Sequence, residues 1–152
     1  MMNKEKKKNY IEEMKVFFNK TSSILVTHYQ GLSVKQIDEL RSEMRKHGIL
    51  FKITKNRITK LALEGSKFKK LENLFSGPTA VAFSEDAITS AKILTKFAKK
   101  NANLKIIGGI MEEEPLSVED VKKIATLPTL NEARAKISAI LTAPAQKIIS
   151  IL

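Results

Sequence analysis

Cysteine and tryptophan are both absent from this sequence. Without cysteine there are no disulfides and no thiolate metal sites, which leaves the redox compartment open, although a reducing cytosol fits. Without tryptophan, and with only 6% aromatic residues, the core is expected to be aliphatic. Long hydrophobic runs are missing as well, and no window reaches the length of a membrane span. Met1 to Lys8 has the charge of a signal-peptide n-region, but Glu12, Glu13 and Lys15 interrupt the apolar segment that should follow. These absences predict a soluble, cytoplasmic protein with no membrane attachment.

Positive charge is what the chain has in excess. Its 152 residues carry a net charge of +11, unevenly spread. Residues 1 to 70 hold 17 Lys and Arg against 7 Asp and Glu, whereas residues 71 to 152 hold 10 against 9. The partner of the first half is therefore expected to be a polyanion. Nucleic acid is the commonest such partner, and an acidic membrane surface is the main rival.

Helical and extended patterns alternate along the chain. Asn3 precedes a helix with Ile11, Met14, Phe17 and Phe18 at helical spacing; Ile24 to Tyr29 reads as a strand, broken by Gly31. Ser33 with Gln36 forms a capping box for a second helix that ends at Gly48. Ile49 to Thr54 is a strand. Asn56 begins a helix with Ile58, Leu61 and Ala62 inward, closed by Gly65, and a helical piece covers Phe68 to Phe75. After the Gly77-Pro78 turn, Ala80 to Phe83 is a buried strand. Asp86 starts the next helix, Leu104 to Met111 is a fourth strand, and Glu112 to Pro115 reads as an acidic loop. Ser117 with Asp120 caps a short helix. The pattern predicts an α/β (α+β) domain over residues 1–126 with a small mixed sheet flanked by helices, since loops of these lengths allow either strand direction.

Catalysis finds no support. The chain has no Gly-rich phosphate loop, nucleophile elbow or dinucleotide fingerprint. His28 and His47 are too few for a metal site, and His47 is explained as a favourable charge near a helix C-terminus. Glu112 to Glu114 reads as a solvated turn. No catalytic residue, metal or cofactor is expected. The basic run is more informative: Lys52, Lys55, Asn56, Arg57 and Lys60 fall at a strand end, a turn and the first turn of a helix. Free N–H groups and the positive dipole end there suit a phosphate oxygen. Cations at that position repel the same dipole, which is easier to understand if an anion sits on top. Lys4, Lys6, Lys7 and Lys8 add an N-terminal cationic arm. Both patches have few aromatics, favouring backbone recognition of a folded RNA or duplex over base stacking.

The end of the chain has a different character. Thr129 with Glu132 makes a capping box just after Pro128 and opens the helix of an arm over residues 127–152. Ile137, Ile140 and Leu141 recur eleven residues later as Ile148, Ile151 and Leu152, close to three helical turns, so both clusters share one face. Pro144 should kink this arm. A core helix needs one stripe, not two equivalent units, so the repeat predicts a protruding docking rail for copies of one partner.

Tyr29-Gln-Gly-Leu-Ser-Val with Ile37, Leu40 and Arg41, then Arg45 and Gly48, Phe51-Lys-Ile with Lys55-Asn56, Ser76-Gly-Pro-Thr and Ala125-Thr-Leu-Pro-Thr together resemble the bacterial ribosomal protein L-ten family. The resemblance runs in order along nearly the whole chain. It implies an N-terminal domain that binds large-subunit rRNA beside the L-eleven protein, and a C-terminal helix on which L-seven/L-twelve dimers assemble to recruit translational GTPases. Carried over by position, it implies Lys6, Lys7, Lys8, Gln30, Gly31 and Lys55 to Arg57 as RNA-facing residues, and the apolar residues of both repeat units as stalk-facing. Each eleven-residue unit is expected to seat one dimer, so two dimers are expected. The alternative is a basic DNA-binding regulator with a helix-turn-helix between Lys35 and Lys60. The strand between its helices counts against it. A peripheral membrane protein is disfavoured because the arm lacks Trp and Phe and has only Arg134, Lys136 and Lys147 as cations.

Overall fold

The computed structural model describes residues 4–64, 66 and 68–152. The expected roles of Asn3 and Gly65 at helix ends lie outside them. In chain order the elements are α1 (Lys4–Lys20), β1 (Ser23–His28), α2 (Val34–Lys46), β2 (Leu50–Ile53), α3 (Asn56–Leu63), a 3₁₀ turn (Lys69–Leu74), β3 (Thr79–Ser84), α4 (Ala87–Lys100), β4 (Lys105–Met111), β5 (Glu114–Leu116), α5 (Val118–Thr126) and α6 (Leu130–Ile151).

Local chemistry accounts for the ends of these elements. The boxes at Ser33/Gln36, Ser117/Asp120 and Thr129/Glu132 are each closed in both directions. Helix α2 ends on Gly48, whose φ of +72° lets Ile49 N–H reach the Met44 carbonyl and Gly48 N–H reach the Arg45 carbonyl, a Schellman arrangement.

The five strands lie in the order β2-β3-β1-β4-β5, and every pairing is antiparallel. The expected mixed pairing is replaced for a topological reason. Strands β1 and β2, joined through α2, run parallel but are separated by β3; β3 and β4, joined through α4, are separated by β1. Two split βαβ units are thus interleaved, in the manner of ferredoxin-like folds. A fifth strand lies where an acidic loop was expected. Glu112 and Glu113 both have positive φ and form the two-residue turn of a hairpin, and Pro115 is accommodated because β5 is an edge.

Both faces of the sheet are covered. On one, Met14 and Phe18 of α1, Ala62 and Leu63 of α3 and Leu71 of the 3₁₀ turn pack on Ile24, Val26, Val81 and Phe83. On the other, Leu40 and Met44 of α2, Leu94 and Phe97 of α4 and Val121 of α5 pack on Leu25, Ala80 and Ala82. The core is not purely aliphatic. Six of the seven phenylalanines are buried and Phe17 packs beside them, so the few aromatics are concentrated inside. Phe18 is their junction, with its ring 5.4 Å from Phe83 edge-on and 6.3 Å from Phe68. Leu61, expected inward, is instead 52% exposed. It sits on the flank of α3 that the 3₁₀ turn and α1 leave uncovered.

Replacing Phe18 with Ala should therefore lower stability by about 3–5 kcal/mol. Urea unfolding followed by circular dichroism measures this, since the chain has no tryptophan to report. A loss below about 1 kcal/mol would show that Phe18 does not tie α1 to the sheet.

Candidate nucleic-acid interface and exposed arm

Because β1 and β2 run the same way on either side of β3, their C-terminal ends meet the start of β3 at one end of the sheet. The N-terminal half of α1 reaches the same end. Together Lys7, Tyr29, Lys55, Asn56, Arg57 and the Gly77-Pro78 turn border an open concavity of about 580 Å³. Four segments distant in sequence are thus brought together around the start of α3.

Asn56 is the clamp of this arrangement. Its Nδ2 donates to the Gly77 carbonyl at 2.7 Å, and its Oδ1 accepts from the Thr79 hydroxyl. Being occupied there, the Asn56 side chain does not cap α3; Lys55 stands at the N-cap without a side-chain capping bond. The Lys55 carbonyl accepts from Ile58 and Thr59 N–H, which leaves the Asn56 and Arg57 amides without helical acceptors at the positive end of the helix dipole. The turn is held from the other side by His28, whose Nε2–H donates to the Ser76 carbonyl at 2.6 Å, so the histidine is a structural donor. Lys55 and Arg57 are exposed.

The other expected RNA-facing residues are placed less uniformly. Lys7 lines the concavity, while Lys6 and Lys8, one residue to either side on the exposed first turns of α1, point about 100° away from it. Gln30 and Gly31 follow Tyr29 in an exposed turn at the same end; Gly31 has φ +88° and its carbonyl accepts from Asn103 Nδ2 at 2.8 Å. Lys52 is drawn elsewhere. Its Nζ lies 3.5 Å from a Glu13 carboxylate oxygen and 5.4 and 5.1 Å from the ring centroids of Tyr10 and Phe17. Strand alternation turns it towards α1, away from the flanking Lys55. Lys60 is one turn farther along α3, half-buried and outside the concavity. Burial pushes the Tyr10 phenol up, with the Lys55 backbone partly opposing, so Tyr10 stays neutral at physiological pH. Two contributors were not singled out from the sequence: Tyr29, which lines the site, and Lys105, which faces His28 across the β1–β4 ladder and so lies at the same end. Tyr29 stands in the family motif quoted above, whereas the only signal for Lys105 was its position beside a strand end.

The described residues contain no group of three or more His, Asp or Glu able to hold a metal ion, and no helix long and apolar enough to cross a membrane. Strand β2 separates α2 from α3, which is not the connection of a helix-turn-helix.

Helix α6 runs unbroken from Leu130 to Ile151 with Pro144 inside it and buries no residue. Pro144 has no N–H to offer the Ile140 carbonyl. Ile137, Ile140 and Leu141 are 59%, 70% and 75% exposed, and Ile148, Ile151 and Leu152 are 62%, 85% and 100% exposed. At the root of the helix, Glu132 accepts from Thr129 N–H at 3.0 Å and from Lys92 Nζ at 2.5 Å. The Lys92 hydrogen bond, then the Thr129 backbone, hold the Glu132 carboxyl below the usual glutamate range. A depressed carboxylate pKa means that the contact is complete above the ordinary glutamate pKa and is lost only as pH falls through the lowered value.

The family model described as Ribosomal protein L10 matches residues 2–99. The chain is also similar to proteins named Large ribosomal subunit protein uL10. That of Pelagibacter ubique is 61% identical over 151 residues, covering 99% of this chain and 91% of the relative. Those of Rhodospirillum rubrum and Bartonella henselae are each 42% identical, over 150 and 151 residues, covering 99% of this chain and 87% and 88% of the relatives.

Removing the Asn56 amide tests the clamp. Asn56→Ala loses two hydrogen bonds, each worth about 0.5–1.5 kcal/mol, and should shift the amide resonances of Gly77 and Thr79. Unchanged stability together with unchanged resonances would show that the clamp is not formed in solution.

Proposed function

The chain belongs to the ribosomal protein L10 family, and from this we propose that it is a structural constituent of the large ribosomal subunit, the base of the ribosomal stalk. In this reading residues 1–126 bind large-subunit rRNA next to the L-eleven protein. Residues 127–152 anchor L-seven/L-twelve dimers, which recruit translational GTPases. The protein is a scaffold and not an enzyme, and it works in the cytoplasm as part of the ribosome.

The observation that carries the RNA half is the convergence of Lys7, Lys55 and Arg57 around the start of α3. Phosphate oxygens are bound there by cations and by unpaired backbone N–H groups at once. Lys6, Lys8, Gln30, Gly31, Lys52, Asn56 and Lys60 belong to the same reading with different parts. Asn56 shapes the turn, Gln30 and Gly31 extend the contact past β1, and Lys6, Lys8 and Lys60 add charge around it. Lys52 reaches RNA only if it leaves Glu13.

The arm half is supported by a helix of 22 residues that buries none of them. Exposed apolar clusters of this extent on a soluble protein mark interaction surfaces. Ile137, Ile140 and Leu141 form one seat, and Ile148, Ile151 and Leu152 the second. Burying such side chains is worth roughly 1.5–3 kcal/mol apiece, enough to hold a partner after association costs are subtracted.

Replacing Lys55 and Arg57 with Ala should reduce the slope of log K against log[salt] for rRNA binding by about one unit per lost phosphate contact. Filter binding over a salt series reads this directly, and an unchanged slope with unchanged affinity would remove both residues from the interface. For the arm, deleting residues 143–152 should lose one stalk dimer by native mass spectrometry, whereas replacing Ile137, Ile140 and Leu141 with Ser should disable the inner seat alone. Loss of all dimers on the deletion would mean one composite seat, and no change would mean that the outer unit is not a seat.

A further inference from the structure

A second concavity lies on the opposite face of the sheet from α3. A groove of about 950 Å³ runs between α4, α5 and the start of β4. Its floor is apolar, made by Ala98, Leu104, Ile106, Val118 and Ala125. Its rim is cationic: Lys92, Lys96, Lys99, Lys105 and Lys122 line it, and no acidic residue does. Among the described residues Lys92 is the only one of these five in an ion pair, and its partner Glu132 belongs to the root of α6. Lys92, Lys96 and Lys99 follow one another at spacings of four and three residues, so they form one row on α4. Like charges so placed weaken a helix. The row therefore needs an explanation other than helix stability.

We propose that this groove is a docking site for an acidic amphipathic helical segment of a protein partner. The occupant must match two features at once, a row of cations and an apolar floor between the walls. A nucleic-acid backbone would answer the rim and leave the floor without a partner. A second copy of this chain is opposed by its net charge of +11. The chain's own α6 carries Arg134, Lys136 and Lys147 against Glu132 alone, so it has the wrong sign to lie along the rim. A segment with apolar residues at i, i+3 or i+4 and i+7 and carboxylates flanking them satisfies both features. From Lys92 to Lys99 the row spans about 10 Å at 1.5 Å per residue, two turns of such a helix. Ala125 and Thr126, which line the groove, stand immediately before the arm, so the bound segment would lie against the root of α6. The groove shares no lining residue with the concavity around Asn56, and because Lys105 at its rim also lies at that end of the sheet, the variants that test the groove leave Lys105 in place.

The test uses the full chain, isotopically labelled for NMR, and three probes at about 150 mM salt, where exposed charges are screened beyond about 8 Å. The first is a peptide of about 14 residues, four helical turns, with leucines at i, i+3, i+4 and i+7 and glutamates elsewhere. The second has the same composition scrambled, and the third is a short RNA duplex. The patterned peptide should shift amides of Lys92 to Lys99 and Val118 to Thr126 in a saturable way. Lys96→Glu combined with Lys122→Glu, and separately Val118→Asp, should each weaken it by about tenfold or more, or at least 1.4 kcal/mol. Val118→Asp is a safe probe of the floor, because Val118 is the first residue of α5, where a carboxylate suits the dipole. Equal binding of the scrambled peptide would reduce the groove to generic charge attraction and overturn the proposal. So would unchanged binding in both variants. Shifts of the groove amides by the RNA duplex and not by the patterned peptide would assign the groove to nucleic acid instead.

Discussion

Strands β1 and β3 have no face left for water, and this sets the arrangement of everything around them. Every residue of β3 is buried, and β1 is buried from Ser23 to Thr27. A strand in that position needs a layer on each side. Alternation along β1 therefore divides Ile24 and Val26 from Leu25, and the chain supplies α1 and α3 to one side and α2 and α4 to the other. With the layers assigned, the crossovers through α2 and α4 must each skip a strand. The strand ends that carry Tyr29 and Lys55 then fall together, although 26 residues separate them in the chain. The cationic end of the molecule is thus a by-product of how the core is closed.

Polar satisfaction and charge follow the same geometry. Where the sheet end turns back, its backbone carbonyls are taken up by side chains, Gly77 by Asn56 and Ser76 by His28. Few donors at that end remain to attract an anion except the cations and the first amides of α3. At the far end of the chain the balance reverses. Helix α6 carries two exposed apolar clusters and only three cations, and at its root one carboxylate both caps its first turn and meets Lys92.

What could be read from the chain was governed by the range of the interactions involved. The three capping boxes and the end of α2 at Gly48 depend on residues within six positions of one another, and they are legible without any fold. The eleven-residue repeat is legible for the same reason. The pairing order was not, because it depends on which face each helix covers. β5 was missed because Glu112 and Glu113 take a turn conformation usually signalled by Asn or Gly, and Pro115 argues against a strand unless the strand is known to be an edge. Lys52 and Lys55 belong to one basic run, yet Lys52 stacks on α1 while Lys55 borders the concavity; periodicity alone could not say that α1 would lie there. The low aromatic content suggested an aliphatic interior, but composition says nothing of placement: six phenylalanines are buried, with Phe68 and Phe83 against Phe18 on one face of the sheet and Phe51 and Phe97 on the other.

The single carboxylate at the root of α6 has a mechanical meaning. A helix of 22 residues is about 33 Å long, and among the described residues its only ion pair with the rest of the molecule is Lys92–Glu132, near one end. It is a lever with its fulcrum at Thr129. A swing of about ten degrees there carries the tip through roughly 6 Å, given that length. A partner seated on the outer apolar cluster would be carried through a larger arc by such a swing than one seated on the inner cluster, which stands nearer the root.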